Sequence, residues 1–327
     1  MTVDLSVSEL ATTRFATSPL SETIAGLQQL DRARGQSNLR WNRWARDELS
    51  ARPLRLSRTW PLIVNGRSSW PQFLVPAPAG AATTIGDDLA ALRRTTARQV
   101  RASLQRVFGD DLPESAAELA ASPAAGLREI AAELLEAYAR LIDPHWARIR
   151  AVLDADIAYR AKQLAAGGAA RLFADLHPDL HWRDGRLTVA NDRRDRAINI
   201  APGGLVLLPV VLGGTDVLVK GHSTTQTTVR YPARGVGTLW TAGTGPVAGS
   251  TVRLLGRHRA QLLEALRSPA TTVDLARALD VTPSAVSQHL AILRENGLVT
   301  GERIGRTVLY LTTEGGLGLL RSGASHR

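Results

Sequence analysis

Through most of the first 180 residues, apolar positions recur near helical spacing, and the segments they define begin with recognisable start signals. VDLSVSELATTRF predicts a short alternating strand running into a helix capped at Ser8. SPLSETIAGLQQLDRAR predicts a second helix, with Ser18 as N-cap and Pro19 in its first turn. From Gly86 to Phe108 the spacing and the acids of the first turn predict an amphipathic helix. ASPAAGLREIAAELLEAYARLI and DPHWARIRAVLDADIAYRAKQLAAGG each open on a Ser-Pro or Asp-Pro cap, and the second is expected to stop at its glycine pair. After HPDLHWRDG the pattern changes. LTVA, INI, GLVLLPVVL, DVLVK and TTVRYP, separated by Gly, Asp and Pro, predict a small, mostly antiparallel sheet over residues 186–232.

Residues 241–250, TAGTGPVAGS, have the composition of a linker, and helical spacing resumes beyond them. TVRLLGRHRAQLLEALR (251–267) predicts an amphipathic scaffold helix with Leu254, Leu255, Leu262, Leu263 and Leu266 available to one face. Thr271 to Leu279 supplies a short helix and Asp280-Val281 a tight turn. Thr282 then caps a helix that starts at Pro283 and ends at Asn296-Gly297. In that last helix Val286, Leu290 and Leu293 fall within about 60° of arc, so they are expected to seat it on Leu275, Leu279 and the scaffold helix. The opposite arc holds Ser284, Ser287, Gln288, Ala291 and Glu295. Two β-rich runs follow around GERIGR and predict a wing bearing Arg303 and Arg306.

The expected fold class is therefore α+β: a mainly helical N-terminal domain with a small antiparallel sheet (1–240), a linker (241–250) and a C-terminal winged helix-turn-helix (251–327). The last of these carries the clearest chemistry. Small residues on the outer arc let the helix approach a groove wall, and Gln288 has a donor and an acceptor that can read a base edge together. Ser284, Ala285, Ser287 and Gln288 are the expected base contacts. Thr282 is placed near a phosphate, and Arg294, Arg303 and Arg306 against the DNA backbone or minor groove.

The stretch ATTVDLARALDVTPSAVSQHLAILRENGLVTGERIGRTVLYLTTEG resembles the winged helix of the arsenical-resistance repressor (ArsR) family over about 70 residues. The resemblance implies a dimeric bacterial transcription regulator, usually a repressor relieved by a signal. Metal-sensing members carry cysteines in the second helix, or acids and histidines in a last helix. TTVDLARAL has no cysteine, and GLGLLRSGASHR is expected to form at most a stub, so only the DNA-reading positions carry over. Upstream, TTRFATSPLSETIAGLQQL, PHWARIRAVLDADIAYRAKQLAAGG, GLVLLPVVL and YPARGVGTLW are similar to an uncharacterised N-terminal domain attached to such winged helices in actinobacterial regulators.

Composition adjusts this picture modestly. The net charge is +10, with 40 basic residues of which only Lys162 and Lys220 are lysine. Residues 250–327 hold 10 Arg against 6 Asp and Glu, about twice the positive charge density of the rest, the direction expected of a phosphate-binding module. The chain has no cysteine, which removes disulfides, thiolate metal sites and cysteine nucleophiles together. No apolar run approaches the roughly 18 residues of a membrane span, and MTVDLSVSEL is unlike a signal peptide, so a cytoplasmic protein is expected.

Enzyme chemistry is not expected. His177 and His181 are four apart but flank Pro178 and lack a third ligand. The glycines of AAGGAA and TAGTGPVAGS stand in no phosphate-loop pattern, and GHSTT lacks the strand-elbow-helix setting of a nucleophile. No metal or cofactor is expected. Trp41, Trp44, Trp60 and Trp70 read either as core or as the lining of an apolar ligand pocket. The expected partners are double-stranded DNA, a second copy of the chain, and a small organic effector sensed by the N-terminal domain. The alternatives are that this domain docks another protein or, less in keeping with the residues, that it is an enzyme.

Overall fold

Five hydroxyl side chains, Ser6, Ser18, Thr84, Thr96 and Thr282, stand in extended backbone and each accepts from an N–H in the first turn of the helix that follows. Each satisfies one of the donors that a helix leaves unpaired at its start. The structure, a computed structural model, describes residues 2–31, 38–66, 69–174, 176–183, 185–190, 197–198, 204–214, 216–221, 226–234, 236, 249–266, 270–279, 281–304 and 307–324. The chain divides into two units. One comprises Met1–Gly35 with Ala45–Ala233, the other Gln36–Trp44 with Arg234–Arg327.

The elements begin with β1 (Thr2–Asp4), α1 (Val7–Ala11), β2 (Arg14–Phe15), α2 (Pro19–Gln29), α3 (Leu39–Ala51) and α4 (Trp60–Ile63). After a 3-10 turn at Gln72–Leu74 come α5 (Ile85–Arg93), α6 (Ala97–Phe108), α7 (Glu114–Ala121) and α8 (Pro123–Ala137), then a π-turn at Tyr138–Ile142 leading into α9 (Asp143–Ala174). The strands β3 (Leu180–Arg183), β4 (Arg186–Val189), β5 (Ala197–Ile198), β6 (Leu205–Val210), β7 (Leu218–Lys220) and β8 (Thr227–Pro232) complete this part. In the second unit follow α10 (Gly249–Leu255), α11 (Arg257–Ala265), α12 (Thr272–Ala278), α13 (Pro283–Glu295), β9 (Val299–Ile304), β10 (Thr307–Thr312) and α14 (Glu314–Ala324). The fold is α+β, with, among the described residues, two short N-terminal strands, a long run of helices and six further strands in the first unit and a winged helix-turn-helix in the second. No helix among the described residues is long and apolar enough to cross a membrane.

Several local expectations shift for identifiable reasons. The first helix is capped by Ser6 rather than Ser8, because Glu9 at the third helical position accepts the Ser6 N–H at 2.7 Å and closes a capping box. The helix expected over 86–108 divides into α5 and α6, since Thr96 pairs with Gln99 in a second capping box and restarts the chain. The pair Gly167 and Gly168 leaves helical backbone, with Gly168 at φ +63°, so the long run of α9 stops there as expected and a short second helical segment follows to Ala174. Most of the expected linker, 241–248, lies outside the described residues.

The strands of the first unit form two sheets. One, ordered β3-β4-β1-β5, is antiparallel except for the β1–β5 pair; the other, ordered β2-β6-β8-β7, adds parallel β2–β6 and β6–β8 pairs to the antiparallel β7–β8 pair. Continuous apolar runs explain the parallel pairs. Every residue of LVLLPV in β6 is buried, as in strands covered on both faces. Between the sheets and the end of α9, Val3, Leu172, Phe173, Leu187, Leu205 and Val229 share one apolar cluster. Phe173 stacks on Trp182 with ring centroids 5.0 Å apart.

Buried carboxylates tie the helices of this unit to its strands. Glu22 of α2 accepts from the N–H groups of Val211 (2.7 Å) and Leu212 (2.8 Å), just beyond β6. Asp88 of α5 accepts from the Ser18 hydroxyl (2.7 Å), the Leu20 N–H (3.1 Å) and the Thr83 hydroxyl (2.8 Å), and so braces the start of α2. Asp156 of α9 accepts from the Tyr231 hydroxyl at 2.8 Å and lies beside Arg160.

Burial pushes the Glu22 carboxyl up to about 7, against the pull of its two backbone donors and of Arg230. The folded chain therefore holds a proton that the unfolded chain releases near the ordinary glutamate value. Glu22's contribution to stability is fully present below about pH 4.5 and is lost as pH rises to about 7. Chemical denaturation between pH 4 and 8 should show this decline, and Glu22→Gln should flatten it. An unchanged slope in the variant would exclude Glu22 as its source.

Candidate nucleic-acid interface

A helix can offer its polar side to a ligand only if its other side is anchored. In α13 the anchors Val286, Leu290 and Leu293 are all buried, at 0–1% exposure, in a cluster with Leu262, Leu263, Leu266 and Leu275 of the preceding segments. Thr282 caps the helix by accepting the Ala285 N–H at 3.2 Å, and Pro283 occupies its first turn. The turn before it is tied back by a bond from the Val281 N–H to the Ala276 carbonyl at 3.0 Å.

The scaffold is two helices rather than one. Gly256, at φ +80°, separates α10 from α11 and resets the helical phase. Leu254 consequently stands 66% exposed instead of joining the apolar face, whereas Leu262, Leu263 and Leu266 are buried as expected and Leu255 packs at the cluster's edge.

Strands β9 and β10 pair antiparallel, from Val299↔Thr312 to Ile304↔Thr307. Ala270, just ahead of α12, exchanges both backbone bonds with Tyr310 (3.1 and 3.0 Å) and so adds a third position beside β10. Thr312 reaches the end of α11 twice, through its N–H to Leu266 O and its hydroxyl to Leu263 O, each at 2.7 Å. The wing is thus fixed to the same helices that hold α13. Beyond it α14 runs for 11 residues, longer than the stub expected of GLGLLRSGASHR. Thr313 accepts the Gly316 N–H at 3.2 Å, and Gly316 lies so close to the Leu298 carbonyl that a Cβ there would come within 2.4 Å.

The sequence-derived site residues take these places. Ser284, Ser287 and Gln288 are exposed on the arc opposite the anchors, together with Ala291 and Glu295; Ala285 is half-buried and Thr282 exposed. The Ser287 hydroxyl donates to the Pro283 carbonyl at 2.9 Å, which leaves its oxygen to act as an acceptor. Arg294 is exposed in the last turn. Arg303 lies in β9 opposite Val308, but its side chain is outside the described residues, as is the whole of Arg306.

Two exposed apolar side chains escaped sequence reasoning: Ile292 on α13 and Val273 in the first turn of α12, 38% and 44% exposed. Their spacing from the anchors was the available signal. Ile292 is about 100° of helical arc beyond Leu293's edge of the buried stripe, too far round to join it. His289 stacks on His258 of α11, ring centroids 5.9 Å apart and planes at 11°. Partial burial, then His258, then Arg259 hold its pKa below the ordinary histidine value.

The four tryptophans do not share one unit. Trp41 and Trp44 belong to the second and Trp60 and Trp70 to the first; Trp41 and Trp70 are buried, the other two half-buried. The Lys220 ammonium lies 4.0 Å from the centre of the Trp70 ring. His177 Nδ1 accepts the Asp179 N–H at 3.1 Å, and His181 is exposed in β3.

Comparison with known proteins places a family on this geometry. Residues 258–300 match the model for bacterial regulatory proteins of the arsR family. Residues 86–237 match a family of unknown function, DUF5937. Among curated proteins the chain is 42% identical over 65 residues to the HTH-type transcriptional regulator NmtR of Mycobacterium tuberculosis, covering 20% of this chain and 54% of that protein. It is 45% identical over 65 residues to the HTH-type transcriptional repressor SmtB of the same species, covering 19% and 48%. It thus spans about half the length of the curated relatives it matches. Among solved structures, reduced HlyU from Vibrio cholerae N16961 aligns at 28% identity over 23% of this chain and 83% of that one, with a TM-score of 0.21.

Truncating the central anchor, Leu290→Ala, should cost about 2–5 kcal/mol of the stability of the helix-turn-helix unit. Removing the cap, Thr282→Ala, should cost about 1 kcal/mol. Denaturant melts followed by circular dichroism would measure both. Equal effects from the buried leucine and the exposed threonine would contradict the burial described above.

Proposed function

We propose that this chain, with an arsR-family helix-turn-helix domain at its C-terminus and a domain of unknown function ahead of it, is a one-component transcriptional repressor. It reads operator DNA through α13 and is controlled through its N-terminal unit by a non-metal signal. The observation that carries this reading is the division of α13 into a buried apolar edge and an exposed outer arc of small and amide side chains. An arc of that kind suits a major groove, where bulky side chains would hold the helix away from the base edges.

Gln288 has the carboxamide geometry for adenine N6 and N7. Ser287, whose proton is committed to Pro283, suits a base donor such as the amino group of adenine or cytosine. Arg294 and the wing arginines Arg303 and Arg306 would neutralise phosphates or enter the minor groove, setting position more than sequence. A dimer would present two copies of α13 about 34 Å apart to successive major-groove faces, so the operator is a pseudo-palindrome. Both curated relatives are transcription regulators by name, which supports regulation over catalysis as the role of the whole chain.

Genome-wide capture of bound DNA supplies the operator, and binding assays on it test the assignments. Gln288→Ala should relax the preference at one or two base pairs by about 1–3 kcal/mol. Arg294→Gln should weaken binding to all sequences alike and lower the salt slope by about one. If neither variant alters affinity, preference or salt dependence, α13 is not the reading helix.

A further inference from the structure

We infer that the cleft between α5, α6 and the Gln72–Leu74 turn is the effector site of the N-terminal unit, and that its ligand is a small organic acid with an apolar body. This rests on the reading of the chain as a signal-controlled regulator and specifies where the signal lands. The cleft encloses about 780 Å³, within the range of sites that hold drug-sized molecules. Its wall is mainly apolar: Phe73, Pro76, Ala77, Ala91 and Ala102 line it. Such a wall would be idle against a nucleic-acid backbone, but it suits the hydrocarbon part of an amphipathic ligand.

The charge of the cleft has one sign. Arg94, Arg98 and Arg106 line it, and among the described residues no Asp or Glu does. Neither Arg94 nor Arg98 is held in an ion pair or hydrogen bond by the described residues, and both are exposed, so their guanidinium donors remain available. The two arginines meet where α5 ends and α6 begins, Arg94 as the C-cap of α5 and Arg98 in the first turn of α6. Two cations held side by side at such a corner match a carboxylate or sulfonate.

A further polar group adds specificity. Gln72 lines the cleft, and its Oε1 is enclosed with no hydrogen-bond partner among the described residues. Its backbone N–H is already committed to the Ser103 hydroxyl at 2.9 Å, and Ser103 lines the cleft too. An enclosed carboxamide without a partner is costly, and turning the Gln72 side chain into the cleft to meet a ligand hydroxyl or N–H would relieve that cost. The geometry therefore points to an organic acid that also carries a hydrogen-bond donor.

The probe is 1-anilinonaphthalene-8-sulfonate, which combines an apolar ring body, an N–H and one anionic group. N-phenyl-1-naphthylamine, the same body without charge, is the comparison. Titration of each into the full chain is followed by fluorescence. We expect one saturable sulfonate site. The double variant Arg94→Gln/Arg98→Gln should raise the sulfonate Kd roughly tenfold and leave the amine unchanged. Ala102→Trp, a substitution at an exposed position that fills the cleft, should abolish binding of both with an unaltered melting midpoint. Sulfonate affinity unmoved in both variants would overturn the proposal, as would equal losses for the charged and neutral probes in the arginine double variant.

The captured operator separates this inference from the reading beneath it. Sulfonate that binds at the cleft and shifts operator affinity supports both. Binding at the cleft without any shift overturns the effector assignment while leaving DNA binding intact. Failure of the unliganded chain to bind any captured DNA would instead fault the regulator reading, with the cleft titrations unaffected. Competition between duplex DNA and the sulfonate for the wild-type cleft would reassign Arg94 and Arg98 to phosphates and overturn the organic-acid site.

Discussion

Burial of three side chains on α13 is the constraint on which the C-terminal unit depends. Val286, Leu290 and Leu293 bring the helix against Leu262, Leu263, Leu266 and Leu275, and every outward position follows from that one rotation. A helix turned by a single residue, about 100°, would bury part of the polar arc and expose a leucine. The burial therefore does two jobs at once. It stabilises the unit, and it sets which atoms of Ser284, Ser287 and Gln288 face solvent. The wing is held by the same core through Ala270, Tyr310 and Thr312, so the two surfaces proposed to meet DNA share one rigid base.

The N-terminal unit is organised differently. Its elements are fastened together by enclosed carboxylates: Glu22 holds α2 to the chain just beyond β6, Asp88 holds α5 to the start of α2, and Asp156 holds α9 to Tyr231 of β8. Such links are directional, and removing one partner exposes the other's desolvation cost. The first braces α2 against the end of β6, and the second ties α5 to α2. Helix α5 also forms one wall of the arginine-lined cleft, so a ligand there would act on a helix whose other contacts are fixed.

Local signals survived best where short-range chemistry decides the outcome. Ser18 with Pro19 and Thr282 with Pro283 were legible because a cap needs only residues within one turn. The three-residue anchor stripe of α13 was legible for a similar reason, since helical phase is a local property. The strands were legible as strands. Their partners were not: nothing within LVLLPV states that it will run parallel to β2 and β8, because pairing joins residues such as Phe15 and Leu207 that are far apart in the chain. The cleft escaped for the same reason. Its arginines read as ordinary helix-surface charges until the 3-10 turn at Gln72–Leu74 is brought beside α6.

The sequence by itself determined the caps at Ser18 and Thr282, the outward face of α13, the wing, and the run of strands that follows the helices, all of which follow from periodicity and turn chemistry acting over a few residues. The tertiary structure alone decided the exposure of Leu254 beyond the split at Gly256, the parallel strand pairs, and the meeting of Gln72, Arg94 and Arg98 around one space. The split is a choice between local alternatives that packing settles. The pairings and the cleft depend on contacts between distant segments, whose energies no short window of sequence contains.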